Sequence, residues 1–188
     1  MPSHYRPAPS LLVEDGLELR VPEQGDAEEL FLKIDENRQY LREWLPWLDD
    51  VTSVEDESAA IGNGAYTENG CMYMILLGGS VVGTVGLNSI DWLNKRFTLG
   101  YWLSEDAMGG GIVTKCCVRL IDHCFDDLGL HKATILVAVE NSRSRAVPER
   151  LGMVLEGVVK DREWLYDHFV DAAIYGITAP DWGALRNQ

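Results

Sequence analysis

The spacing of apolar residues changes several times along the chain, and each change marks an element. "GLELRVP" (16–22) alternates apolar and polar positions, the period of two of a strand with one buried face. Over 26–45, Leu30, Phe31, Ile34 and Leu41 recur at helical spacing, with Asp26 in the N-cap position and Pro46 as the stop. A second helix is predicted over 53–67, opening at Ser53 with Asp56 as an imitation of the capping-box acid. Segments 71–78, 80–90 and 96–104 are dense in β-branched, aromatic and aliphatic residues, which predicts three strands. Gly78-Gly79 and Asn94-Lys95 supply the turns between them.

The clearest helix follows. Ile112, Val113, Cys116, Cys117, Leu120, Ile121, Cys124 and Phe125 form one continuous apolar stripe, and Gly129 is placed to end it. "KATILVAVE" (132–140) reads as a short buried strand. A helix over 142–151 then ends at Gly152, with an irregular first turn expected from Pro148, which has no N–H. Residues 153–178 read as two strands around a turn near Tyr166-Asp167-His168. Residues 1–14, with three prolines among the first ten, are expected to form a loose N-terminal arm or an edge segment. The order predicts an α+β fold, a mostly antiparallel mixed sheet of about seven strands flanked by about four helices. No repeat or linker divides the chain, so residues 1–188 are read as one domain.

Composition narrows the class. Hydrophobic residues make up 46% and charged residues 24%, the balance of a soluble globular protein. No apolar run approaches the ~20 residues that span a bilayer, and the first residues lack a signal-peptide core, so the expected location is the cytoplasm. A formal net charge of −14 disfavours nucleic acid and anionic membranes and favours cationic partners such as amines and basic peptides. The four cysteines fit neither a zinc site nor a disulfide framework and are read as reduced core residues, with no metal expected. His123 and His131 have no partner pattern and are read as surface residues.

Gly109-Gly110-Gly111 stands directly before the strongest helix. A helix start presents unpaired N–H groups and partial positive charge, and glycines let a phosphate approach them closely. The run is not a Walker loop, since no Gly-Lys-Ser/Thr follows, and it lacks G-x-G-x-x-G spacing. From the motif alone, an ordinary loop and an anion cradle are equally open.

The neighbours decide between them. Residues 97–153 resemble the GNAT superfamily of acetyl-CoA-dependent N-acetyltransferases, whose turn is Gln/Arg-x-x-Gly-x-Gly/Ala; here it reads Met108-Gly109-Gly110-Gly111-Ile112-Val113. The central glycine is present as Gly111. Met stands at the first position, Val at the last, and Gly110 where relatives often carry a basic residue. "VAVENSRSRAVPERLGM...LEG" and "EWLYDHFVDAAIYG" are similar to the branch that acetylates N-terminal serine or alanine of ribosomal proteins, over roughly residues 15–178.

The resemblance implies the GNAT fold, with its sheet splayed between the strands near 97–103 and 132–140. It implies acetyl-CoA on Trp102, Leu103, Met108, Gly109, Gly110, Gly111, Ile112, Val113, Thr114, Asn141 and Arg150. Asn141 would bind the pantetheine arm or a water, or else only cap a helix. Ser144 would protonate the departing thiolate, or else be a cap. Glu163 would be the general base for the incoming ammonium, with its carboxyl group raised in a dry site, or else lie on a strand surface. Backbone N–H groups near Leu103 would hold the oxyanion. Arg143, Arg145, Arg150 and Lys115 could meet phosphates or be ordinary surface charges. Trp44, Trp47 and Trp92 could line an acceptor groove or be core. The implied reaction is direct acetyl transfer to a primary amine, foremost a protein N-terminus. The alternatives are a polyamine, an amino-bearing antibiotic, or a degenerate acyl-CoA sensor. Long strands near the C-terminus leave a homodimer open.

Overall fold

A nine-stranded sheet organises the molecule. In the computed structural model, which describes residues 7–64 and 66–187, the elements run β1 (Ser10–Glu14), β2 (Leu17–Arg20), α1 (Ala27–Glu36), α2 (Arg38–Leu41) and α3 (Val54–Gly64). Then come β3 (Tyr66–Thr67), β4 (Gly70–Leu77), β5 (Ser80–Asp91), β6 (Arg96–Leu103), α4 (Ile112–Asp122) and β7 (Lys132–Ala138). The chain continues through α5 (Ser142–Arg150), β8 (Val154–Leu165), β9 (His168–Thr178) and α6 (Ala179–Arg186). The strand order is β1-β2-β4-β5-β6-β7-β9-β8, with the short β3 on β4. The fold is α+β as expected, with more strands and helices than the sequence pattern predicts.

Every neighbouring pair is antiparallel except β6 and β7. Parallel neighbours need a long crossover, and α4 supplies it. The β6–β7 register runs from Arg96↔Lys132 to Leu99↔Ile135 and then stops. Beyond that point β6 stays paired to β5 through Leu103, and β7 to β9 through Ala138. Each strand remains tied to its outer neighbour while the two part from each other, which is the expected splay.

Alternation along the strands divides the core between two faces. On β4, Tyr73 and Ile75 join the cluster of α4, whereas Met74 and Leu76 join the cluster of α1, α2 and α3. On β6, Leu103 belongs to the first and Trp102 to the second. The α4 stripe is buried as predicted, and all four cysteines are buried free thiols. Burial pushes the Cys71 and Cys116 thiols up to about 12, so they stay protonated.

Several expectations are corrected. Of the two readings for the N-terminal stretch, the edge segment holds for residues 10–14, which form the edge strand β1: Gly16, at φ +74°, permits the tight turn back onto β2, and Leu11 is buried. Residues 1–6 of that arm lie outside the described residues. The helix over 26–45 breaks at Asn37, whose Nδ2 donates to the Lys33 carbonyl (2.8 Å) and whose Oδ1 accepts from Glu105 N–H (2.9 Å). Asp26 makes no cap bond to α1; its carboxylate accepts instead from Glu23 N–H (2.7 Å), and Arg20 holds it at 2.8 and 2.9 Å, below the usual carboxylate range in pKa. At α3, Ser53 Oγ does accept from Asp56 N–H (3.1 Å), but Asp56 turns back to Thr52 N–H (3.0 Å). His123 is 6% exposed and pairs with Asp127 at 2.7 Å, because α4 ends in a π-turn over His123–Asp127 that rotates the ring inward. Helix α6 was not anticipated, though Thr178-Ala179-Pro180-Asp181 is a start signal: Thr178 Oγ1 accepts from Asp181 N–H (3.4 Å), and Trp182 Nε1 donates to Asp122 (2.8 Å).

One buried charge carries a cost. Glu57, on the inner face of α3, is 4% exposed, with no carboxylate partner among the described residues, and desolvation raises its pKa above the ordinary 4.5. The folded form therefore binds its proton more tightly than the unfolded chain, so stability falls as pH rises from the unfolded value through the folded one. Glu57→Gln is expected to raise Tm at pH 7–8, and the gain should disappear below pH 4.5; a thermal melt series across that range checks it.

Candidate active site

The parted ends of β6 and β7 define a gap, and the chain places its special residues around it. After Leu103 a short 3-10 turn (Glu105–Ala107) leads to Met108 and the three glycines. Gly109 (φ +88°) and Gly111 (φ +71°) are left-handed, a conformation that costs other residues roughly 1–2 kcal/mol. A Cβ built at either would meet no heavy atom within 4 Å. Backbone conformation demands the glycines, and packing does not. The turn is thus a bare surface delivering into the N-terminus of α4, where Gly111 is the cap and offers no side chain. The first N–H groups of α4 point outward unpaired within the helix.

The far wall of this loop is fixed by the α1–α2 junction. Tyr40 Oη donates to the Leu103 carbonyl at the end of β6, and Asn37 holds Glu105 N–H. Burial drives the Tyr40 phenol well above its usual pKa, so it stays a donor. Glu105 and Asp106 are exposed, as expected of solvated loop residues.

On the other side of the gap, Asn141 caps α5: its Oδ1 accepts from Ser144 N–H at 3.0 Å. Ser144 lies half-buried and meets Tyr101 of β6, which the sequence reading overlooked. Ser144 Oγ stands 3.2 Å from Tyr101 Oη, and Tyr101 Oη donates to the Ser144 carbonyl at 2.9 Å. Pro148 does not disturb the first turn of α5; the helix runs unbroken from Ser142 to Arg150. Arg150 Nε donates to Thr114 Oγ1 at 3.2 Å, so these two expected cofactor residues meet between α4 and α5.

The β8–β9 hairpin arches over the same end of the sheet. Its tip runs past the last β7 pair, Ala138↔Ala172, and reaches the segment after α2. There Tyr166 Oη donates to the Leu45 carbonyl (2.6 Å), and the Arg42 guanidinium sits 3.8 Å from the Tyr166 ring centroid. A bulge between Val159 and Glu163, with Asp161 left-handed and its N–H on Asp171 (2.9 Å), bends the strand toward this contact. Glu163 rides on this hairpin, opposite Val170, and is exposed. The dry surroundings expected for it are not supplied by this chain alone.

Not every expected residue reaches the gap. Trp92 lies at the opposite end of β6, roughly 25 Å of strand away at ~3.3 Å per residue, with its indole N–H on the Glu68 carbonyl. Trp47 packs in the same cluster as Trp102. Arg145 is engaged by Tyr175 Oη (3.0 Å) and the Val139 carbonyl (3.1 Å), and Lys115 by Glu14 (2.7 Å); Arg143 is exposed. The described residues contain no group of metal-ligating side chains, and none of their helices is long and apolar enough to cross a membrane.

A parted β6–β7 pair, a bare glycine turn on a helix start and a serine capped across the gap define an acyl-transfer fold that takes a diphosphate-bearing donor. Comparison with known proteins agrees: residues 16–154 match the acetyltransferase (GNAT) domain, and the chain belongs to that family. It is an acetyl-CoA-dependent N-acetyltransferase. The ribosomal-protein-serine acetyltransferase of Escherichia coli is 32% identical over 169 residues, covering 88% of this chain and 94% of that protein. The solved RimL ribosomal L7/L12 alpha-N-protein acetyltransferase in complex with coenzyme A superposes with a TM-score of 0.86 at 27% identity, over 90% of this chain and 97% of that one. The microcin C7 self-immunity acetyltransferase MccE, solved with acetyl-CoA and AMP, gives 0.84 at 31% identity, over 88% and 94%.

The cradle can be tested against an internal control. Gly111→Ala and Gly16→Ala impose the same left-handed strain with equally open space for the methyl group. Both should lower Tm by a few degrees. Only Gly111→Ala should weaken coenzyme A binding, roughly tenfold or more, by isothermal titration. Equal affinities in the two variants would remove the cradle.

Proposed function

We propose that this acetyltransferase acts on the N-terminal amine of a protein, of the ribosomal-protein class, by direct attack in a ternary complex in the cytoplasm. The observation that carries the donor half of the reading is the bare turn at Gly109–Gly111, open to approach and aimed by the start of α4. The acceptor half rests on near full-length similarity to a ribosomal-protein-serine acetyltransferase and on the net charge of −14, which attracts a cationic terminus. A homodimer on the exposed outer edge of β8 belongs to the same reading.

The donor supplies an activated thioester carbonyl. Its diphosphate is held by the N–H groups of residues 109–114, with Arg150 and Thr114 beside them. Asn141 offers Nδ2 to the pantetheine arm, its Oδ1 being taken by Ser144 N–H. Backbone N–H near Leu103 faces the developing oxyanion. An N-terminal ammonium of pKa ~8 must lose a proton before it attacks, and Glu163 accepts it. The hairpin that carries Glu163 forms the roof of the acceptor groove with Trp47, and a seated peptide supplies the desolvation that the free site lacks. Ser144 returns a proton to the departing thiolate. No acyl-cysteine is involved, since every thiol is buried and protonated.

Acetyl-CoA offered with N-terminal peptides, polyamines and aminoglycosides, followed by thiol release, reads the acceptor class. Preferential turnover of seryl or alanyl N-termini is expected. Preference for polyamines would shift the assignment to small amines, and stabilisation by acetyl-CoA without turnover of any amine would indicate a sensor. Glu163→Gln should lower kcat at pH 7 roughly a hundredfold and leave the coenzyme A dissociation constant within about twofold. Full activity in that variant would remove the base.

A further inference from the structure

A proline near the end of α5 raises a question that the reaction scheme leaves open. In an α-helix the N–H of residue 148 would bond the carbonyl of residue 144. Pro148 has no N–H, so the Ser144 carbonyl loses its helical donor. A buried proline within a helix is unfavourable, yet α5 is continuous around it. The released carbonyl does not go unpaired: Tyr101 Oη donates to it at 2.9 Å.

Tyr101 lies on β6 two positions beyond Leu99, the last residue paired to β7. Its side chain therefore crosses the opening between the strands and reaches the start of α5. The same phenol oxygen lies 3.2 Å from Ser144 Oγ. Because its single proton is spent on the carbonyl, the phenol can only accept from the serine hydroxyl. The serine backbone N–H is spent on Asn141. All polar groups of Ser144 are thus committed, two of them to one phenol. Desolvation holds that phenol in its protonated form, so the donor–acceptor order does not reverse at neutral pH.

We infer that Tyr101 is a positioning residue for Ser144, and that Pro148 serves the reaction by clearing the Ser144 carbonyl so that this phenol can dock. The inference rests on the role of Ser144 as proton donor in the proposed function. Tyr101 itself gives no proton to the reacting atoms. It fixes the serine rotamer with Oγ at the edge of the gap; in the reaction the hydroxyl proton turns from the phenol to the departing thiolate sulfur, while the second proton lost by the attacking amine returns to Oγ through water in the same step. Docking of α5 does not depend on this phenol. Arg145 Nε donates to Tyr175 Oη (3.0 Å), Tyr175 Oη donates to Glu149 (2.9 Å), and Arg145 Nη1 bonds the Val139 carbonyl (3.1 Å).

The test is a set of variants read by kcat, KM and Tm: Tyr101→Phe, Pro148→Ala, Ser144→Ala, Tyr101→Phe/Pro148→Ala and Tyr101→Phe/Ser144→Ala. Tyr101→Phe should lower kcat roughly ten- to hundredfold with KM for acetyl-CoA within about twofold, and should lower Tm because a carbonyl is left unpaired. Adding Pro148→Ala returns a helical N–H to that carbonyl. The Tm loss should be recovered and the kcat loss should remain, a split that a purely structural tyrosine does not produce. Tyr101→Phe/Ser144→Ala should be no slower than Ser144→Ala. Wild-type kcat in Tyr101→Phe, recovery of kcat together with Tm, or a double variant slowed by the full factor again would each overturn the inference. Wild-type kcat in Ser144→Ala would overturn the acid assignment, and this inference with it. A slow Ser144→Ala beside a fast Tyr101→Phe would overturn this inference alone.

Discussion

The molecule depends on a pairing that stops. Strands β6 and β7 run side by side only as far as Leu99 and Ile135, and past that point their edges face a gap instead of each other. Unpaired backbone inside a sheet is costly unless something satisfies it. The chain meets this partly with its own groups. Tyr40 covers the Leu103 carbonyl, Asn37 covers Glu105 N–H, and Tyr101 leans across to α5. What it leaves uncovered is the side-chain-free turn and the start of α4, and these are the groups that suit an anionic donor.

The two faces of the sheet divide the labour. Helix α4, with its apolar stripe locked into one cluster, gives the cradle a rigid base. The α1–α2 segment belongs to the other cluster and fixes the loop from the opposite side. The β8–β9 hairpin, joined to the segment after α2 through Tyr166, Arg42 and Leu45, spans the gap from above. In the proposed reaction, donor and acceptor approach from different sides. The acceptor side is the more exposed, with Trp164 and Phe169 in edge contact at 4.8 Å on the hairpin surface.

Much of this was legible in the residues. Strand and helix periods located most elements from β2 to β9, although the helix read over 53–67 ends at Gly64 and Tyr66–Thr67 form β3 instead. Gly78-Gly79 and Asn94-Lys95 marked real turns, with Lys95 at φ +52°. The glycine run by itself left an ordinary loop and an anion cradle equally open, and the resemblance of its neighbours to the GNAT turn decided between them. Most of the failures share a cause, a partner distant in sequence. Asn37 breaks its helix because Glu105 N–H takes its side-chain oxygen, and β1 is held as the edge strand by Lys115 on Glu14 and Arg119 on the Leu12 carbonyl. Tyr101 was invisible for the same reason, since its meaning lies in a proline 47 positions later (148 − 101). His123 is the local exception, turned inward by a π-turn and paired with Asp127 four residues on. Trp92 misled because an exposed-looking aromatic says nothing about which end of a strand it occupies.

The most direct measurement is a backbone amide NMR titration with coenzyme A. If the parted strands and the glycine turn form the donor site, the largest shift changes fall on residues 109–114, with a second group on 100–103 and 141–144. Gly16 and the Gly78-Gly79 turn remain still. Saturable binding that leaves the amides of 109–114 unmoved would contradict the account.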